Sequence, residues 1–269
     1  MIFKVLLAGL ISGLFQLDQT GAFQFMLSRS IISSTILGWV LGSIIGQPEL
    51  GLRYGFLFGI FFDLIWLFRL PIGASTPPDY QIGSSVAISS LILGISFFNP
   101  KFIYIYVFIC LVMGFVSGYI GAWFDVIIRR LNINISRMSR YYWNKGKFLK
   151  FKSLMLLGLF NSFVKAFLIT IVFLFLILIL NPILNFIFEN IPGFIVEGFA
   201  IVIFFIPALG LIVVINHIIK ESTWKVLGLG IVTGAIIFSY LKDFHVFGFL
   251  IILFFCIIIW VNVLKKEKV

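Results

Sequence analysis

Charged residues are scarce in this chain of 269 residues: 11% of its residues are Asp, Glu, Lys or Arg, and 61% are hydrophobic. So few charged residues cannot cover the polar surface that a water-soluble domain of this length needs. A bilayer span takes roughly 20 mostly apolar residues, and runs such as FLITIVFLFLILIL (167–180) contribute to several spans. The composition predicts an all-α polytopic integral membrane protein embedded in a lipid bilayer.

Histidine and cysteine are almost missing, with two of each in the whole chain. His217 and His245 are too few for a histidine-rich metal site, and Cys110 and Cys256 lie in apolar runs typical of helix packing rather than of a disulfide. The sequence also lacks a glycine-rich phosphate loop, a nucleophile elbow and an HExxH motif. We therefore expect no catalytic residues, no metal and no cofactor.

Acidic residues are absent from 129–152, which holds eight of the 20 basic residues. Cytoplasmic loops of membrane proteins carry such an excess of Lys and Arg, so we expect a basic cytoplasmic loop here. The clustering argues against nucleic-acid binding and is compatible with a patch for lipid headgroups or a partner. The expected organisation is an N-terminal membrane half with polar site segments (1–128), this loop (129–152) and a C-terminal membrane half of about four spans (153–269).

The predicted spans are regular only in the C-terminal half, where apolar segments cover 153–180, 199–219, 226–241 and 246–264. In the first half the apolar stretches are 2–16, 30–46, 51–70, 83–98 and 102–124, and several are short or interrupted by Gly and polar residues. Such segments are typical of discontinuous helices and re-entrant hairpins in transporters. We expect both features in this fold.

Asp63 lies in the middle of the apolar stretch 51–70. A carboxylate at the centre of a membrane helix costs roughly 2.5–3.5 kcal/mol on insertion scales, so such acids are functional candidates. The alternative is a structural partner for Arg53 or Arg69, although offsets of ten and six residues do not place either on the same helix face. We favour contact with a substrate or an ion.

Asp79 ends the segment PIGASTPPD (71–79), whose small residues allow close backbone approach while its prolines restrict the chain. The alternative is a solvated acid that caps the next helix. A second polar segment, QLDQTGAFQFMLSRS (16–30), places Asp18, Gln24 and Arg29 where they could line a cleft, unless it is an ordinary loop. Carboxylates and amides organised in a cavity are what sugar hydroxyls require.

Four stretches resemble a known family. LDQ…FQFMLSRSIISSTILGWVLG (17–42) is similar to an N-terminal motif, and GLRYGFLFG…DLIWLFRLPIGASTPPD (51–79) to a signature, of the membrane IIC component of mannose-type phosphotransferase (PTS) sugar transporters. NIPGFIVEGF and IVVINHIIKESTW resemble later segments of that family. By matching positions, Gln24, Asp63 and Asp79 would contact the sugar, with Asp18 a further candidate.

The resemblance implies a sugar-translocating subunit in the cytoplasmic (inner) membrane of a bacterium. It implies a homologous IID membrane subunit, an oligomer, and soluble IIA and IIB phosphocarriers that phosphorylate the arriving hexose on histidines of their own. Two alternatives remain from the residues alone. One is a stand-alone secondary transporter coupled to protons through Asp63, and the other is a non-transporting scaffold that docks a partner on 129–152.

Overall fold

A computed structural model describes residues 1–20, 25–67, 76–97 and 100–218. These residues form α-helices and two short 3₁₀ turns and no strand, which confirms the all-α membrane fold. The chain divides into two units, Met1–Val214 and Ile215–Val269, and the second is described only at 215–218. The helices are α1 (Ile2–Thr20), α2 (Ser30–Ile44), α3 (Pro48–Trp66), α4 (Tyr80–Gly94), α5 (Ile103–Asn144), α6 (Phe148–Glu189) and α7 (Gly193–Ile218).

Helix length separates spans from half-spans. Among the described residues, Ile2–Gln19, Pro100–Asn144 and Phe148–Glu189 are long and apolar enough to cross a membrane. Helices α2 and α4 have 15 residues each, which at 1.5 Å per residue reaches about 22 Å, less than the roughly 30 Å hydrocarbon core. Both are therefore short in the way that discontinuous membrane helices are short.

A tight turn joins α2 to α3. The N–H of Gln47 donates to the carbonyl of Gly42 (2.8 Å) and that of Gly46 to the carbonyl of Ser43 (3.3 Å), which is the Schellman pattern. Gly46 has φ +78°, a conformation that glycine adopts without strain. Pro48 then begins α3, where its missing N–H costs nothing. The two helices therefore form an antiparallel hairpin.

Glycines on one face of α3 bring this hairpin into backbone contact. Gly51, Gly55 and Gly59 are four residues apart, so they share a face. A Cβ at Gly51 would lie 2.0 Å from the carbonyl oxygen of Gly38, and a Cβ at Gly55 would lie 2.5 Å from that of Ser34. Only glycine permits such an approach, as in other closely packed membrane helices.

Helices α5 and α6 form a long antiparallel hairpin. Their pairing runs from Phe102 against Phe188 at one end to a hydrogen bond between Asn132 and Asn161 further along. The segment 129–152 is helical apart from the turn around Gly146, so the basic residues lie on the tip of this hairpin. The segment 181–198 is likewise mostly helical, with the turn between α6 and α7 at 190–192.

Helix α4 is the central helix of the first unit. Every residue from Gln81 to Gly94 is buried, including Ser84, Ser85, Ser89 and Ser90. It packs against α1, α2, α3, α5 and α6. The N-terminal turns of α4, with their polar side chains, therefore lie inside an otherwise apolar bundle.

Candidate functional site

The glycine face of α3 ends on Asp63, which stands four residues after Gly59 and is therefore on the same face. This face points at α2, and the carboxylate reaches the start of that helix. The N–H of Ser30 donates to Oδ1 of Asp63 (3.3 Å) and the N–H of Ile31 to Oδ2 (3.2 Å). Asp63 therefore caps the N-terminus of α2, where orphan N–H groups and the helix dipole favour a negative charge.

Asp79 occupies the corresponding place on α4. Its Oδ1 accepts from the N–H of Ile82 (3.2 Å), so it is the N-cap of α4. Its own N–H donates to the carbonyl of Gly118 on α5 (2.9 Å). A Cβ at Gly121 would lie 2.9 Å from the Cβ of Asp79, so a small residue on α5 allows this approach. Asp79 does cap a helix, but it is buried rather than solvated.

An ion triad surrounds Asp79. The Nζ of Lys165 on α6 lies 2.6 Å from Oδ2 of Asp79 and 2.7 Å from Oδ1 of Asp125 on α5. The Nε2 of Gln16 on α1 donates to the same Oδ2 of Asp79 (3.0 Å). Both partners of the first pair have side chains only 1% exposed, whereas the side chain of Asp125 is 31% exposed. Four helices thus meet at one carboxylate.

Asp18 organises the chain that leads into α2. Its Oδ1 accepts from the N–H of Phe25 (2.7 Å) and its Oδ2 from the N–H of Ser28 (3.1 Å). Gln24, the fourth expected site residue, lies outside the described residues, as does 68–75 with the Pro-Ile-Gly break. Asp18 therefore acts on the segment immediately before α2.

The three carboxylates belong to one polar region, because the starts of α2 and α4 are in contact. The Oγ of Ser30, the first residue of α2, donates to the carbonyl of Tyr80, the first residue of α4 (3.0 Å). Asp63 binds Ser30, Asp79 precedes Tyr80, and Asp18 holds Ser28. The region combines carboxylate acceptors with two helix N-termini inside the bundle, a combination suited to hydroxyl-bearing ligands.

Two other features bear on a sugar site. Trp66 is only 3% exposed and packs against Phe62 and Phe115, so it offers little aromatic surface to a sugar ring. A groove of about 590 Å³ lies between α1 and α6, but its lining is almost wholly apolar, with Leu17, Leu156 and Phe160 among its residues. This groove suits acyl chains rather than sugar hydroxyls.

Sequence reasoning missed Lys165, Asp125 and Gln16. The signal for Lys165 was present, because it is the single charged residue between Ser153 and Leu180, and the cost of an intramembrane charge applies to Lys as well as to Asp. Asp125 follows an apolar stretch in the same way. Their pairing depends on how α5 and α6 pack, which local sequence does not reveal.

Comparison with known proteins places this chain in a family. A solved structure described only as that of a membrane protein matches with a TM-score of 0.62 and 18% identity over 100% of this chain and 99% of its own, which shows a shared fold. No curated protein matched. The family model for the sorbose-specific IIC component of the PTS matches residues 2–259. The chain therefore belongs to this family, whose members are the membrane sugar-translocating subunits of mannose-type PTS permeases.

Proposed function

We propose that this IIC subunit carries a hexose or a related sugar and that Asp18, Gln24, Asp63 and Asp79 contact it. The observation that carries the proposal is the meeting of three buried carboxylates at the adjoining N-termini of α2 and α4. Sugar hydroxyls donate hydrogen bonds to carboxylates, and short helices ending inside the bundle are where transporters place their substrates.

The subunit works with other PTS components, which phosphorylate the sugar. We further propose a IID-like membrane partner, soluble IIA and IIB phosphocarriers, assembly into an oligomer, and a location in the bacterial cytoplasmic membrane. In this scheme the chain has no catalytic residue and phosphoryl transfer takes place on IIA and IIB. Vesicles that contain IIC, a IID-like subunit and the phosphorylating components should accumulate phosphosugar from at least one hexose of a panel. Failure with every hexose contradicts the proposal.

Gln24→Ala is expected to raise the KM for sugar uptake by about two- to tenfold, since one lost hydrogen bond to a bound hydroxyl is worth about 0.5–1.5 kcal/mol. The KM is measured from sugar uptake by the reconstituted vesicles, normalised to the amount of subunit. The matched control is Gln47→Ala, because Gln47 is exposed and its side chain makes no capping hydrogen bond. Equal KM values for the two variants would remove Gln24 from the site.

The basic hairpin tip is expected on the cytoplasmic side, since it carries the excess of Lys and Arg. Helix α6 has 42 residues, about 63 Å, so its two ends lie on opposite sides of the hydrocarbon core. Lys147→Cys should react with a membrane-impermeant maleimide only in inside-out vesicles, and Asn190→Cys only in intact cells. Labelling of Lys147→Cys in intact cells would reverse this orientation.

A further inference from the structure

The Oδ2 atom of Asp79 is fully engaged by the protein itself. It accepts from Lys165 Nζ and Gln16 Nε2, and the Oδ1 of Asp79 accepts from the N–H of Ile82. A carboxylate offers about four lone-pair sites, and its side chain here is 1% exposed. A sugar hydroxyl that binds at Oδ2 must therefore displace one of these donors.

Of the three donors, Lys165 is the one that has a second carboxylate within reach. The N–H of Ile82 belongs to the backbone of α4 and cannot leave without unwinding the helix. Gln16 is held on α1, where it also donates to Gln19 (2.6 Å). Lys165 already lies 2.7 Å from Asp125, and an ammonium on a flexible four-carbon stem can shift between two carboxylates.

We propose that Lys165 acts as a movable counter-ion, leaving Asp79 for Asp125 when a sugar hydroxyl binds to Oδ2 of Asp79. The proposal rests on the proposed function, in which Asp79 contacts the sugar. No proton is transferred, because one ammonium and two carboxylates are present before and after the shift. Lys165 and Asp125 are then positioning residues for Asp79.

An unfilled acceptor supports sugar binding at this place. The Oε1 of Gln16 is buried and has no hydrogen-bond partner among the described residues, although the Nε2 of the same amide contacts Asp79. Buried polar atoms are almost always paired, so an unpaired one requires an explanation. Two neighbouring hydroxyls of one sugar, donating to Asp79 and to Gln16, would fill both acceptors.

The test is Asp125→Asn in the reconstituted vesicles. Without the second carboxylate, the described residues offer Lys165 no charged acceptor to move to. We therefore expect the KM for sugar to rise about tenfold while Vmax per folded subunit changes by less than twofold. Asp125→Glu keeps the charge and should restore a KM within twofold of wild type. Asn132→Ala is the matched control, because it removes another hydrogen bond between α5 and α6 without touching the triad. An unchanged or lowered KM in Asp125→Asn overturns the proposal.

Failure of this inference is distinct from failure of the proposed function. If Asp79→Asn leaves the KM unchanged, Asp79 is not a sugar ligand, so its place in the proposed site and the counter-ion role of Lys165 both fail. If Asp79→Asn raises the KM and Asp125→Asn does not, only the counter-ion role fails. A second measurement tests the proposal even if Asp125→Asn folds poorly. The sugar-induced infrared difference spectrum of the wild type should contain a carboxylate band that moves in Asp125→Glu, and a spectrum without such a band overturns the proposal.

Discussion

Replacing Lys165 by methionine is expected to remove most of the folded protein from the membrane and to abolish sugar uptake. The substitution leaves Asp79 buried without its cation, with a side chain 1% exposed. Removing one partner of a buried ion pair costs about 3–5 kcal/mol, a large part of the 5–15 kcal/mol that stabilises a typical protein. A shift of 3 kcal/mol changes the folding equilibrium by about a hundredfold. The amount of monodisperse protein after solubilisation in detergent measures the loss of folded protein, and vesicle uptake measures the loss of transport.

The double variant Lys165→Met/Asp79→Asn separates folding from transport. It removes both buried charges, and a neutral amide at position 79 can still accept from the N–H of Ile82 through its carbonyl oxygen. We expect it to recover at least half of the wild-type amount of monodisperse protein while uptake stays absent. If Lys165→Met alone accumulates and transports like the wild type, the triad is dispensable and its proposed role is wrong.

Gly51→Val is expected to separate α2 from α3 and so to disrupt the candidate sugar site at their end. Even the first added carbon would lie 2.0 Å from the carbonyl oxygen of Gly38 and 2.7 Å from its carbonyl carbon, and both are backbone atoms that no side-chain rotation can move. Forced overpacking costs roughly 1–3 kcal/mol and sometimes more. Because Asp63 reaches the N–H groups of Ser30 and Ile31 only across this contact, uptake should fall by more than tenfold.

Thermal unfolding of the purified protein and vesicle uptake check the result for Gly51→Val. Gly158→Val is the matched control, since a Cβ there meets the Oδ1 of Asn132 at 3.8 Å, an ordinary contact. Both variants place the same side chain within a helix. The difference between them in melting temperature and in uptake therefore reports the α2–α3 contact alone. Equal melting temperatures would show that α2 and α3 do not depend on this close approach.

Much of the candidate site could be predicted from the sequence, because the features that mark its residues are local. An acid in the middle of an apolar helix is expensive wherever it lies, and this marked Asp63. Asp79 stood out because it follows two prolines and precedes a helix start, and it is the N-cap of α4. The spacing of Gly51, Gly55, Gly59 and Asp63 also specifies one face of α3, since residues four apart share a face.

The partners of these acids could not be predicted from the sequence. The alternative partners expected for Asp63 were Arg53 and Arg69. Two backbone N–H groups of α2 bind Asp63, and Arg69 lies outside the described residues. Asp79 pairs with Lys165, 86 positions away, and with Gln16, 63 positions away. Helix periodicity says nothing about which residues of distant helices meet, so neither contact follows from local pattern.

The sequence by itself determined that the chain is a helical membrane protein with short, interrupted segments in its first half, because apolar length and the cost of buried charge depend only on the order of residues. The tertiary structure alone decided that the starts of α2 and α4 adjoin and that one lysine serves two carboxylates. Those features arise where six helices pack in one register, and the register depends on side-chain and backbone contacts between residues far apart in the chain.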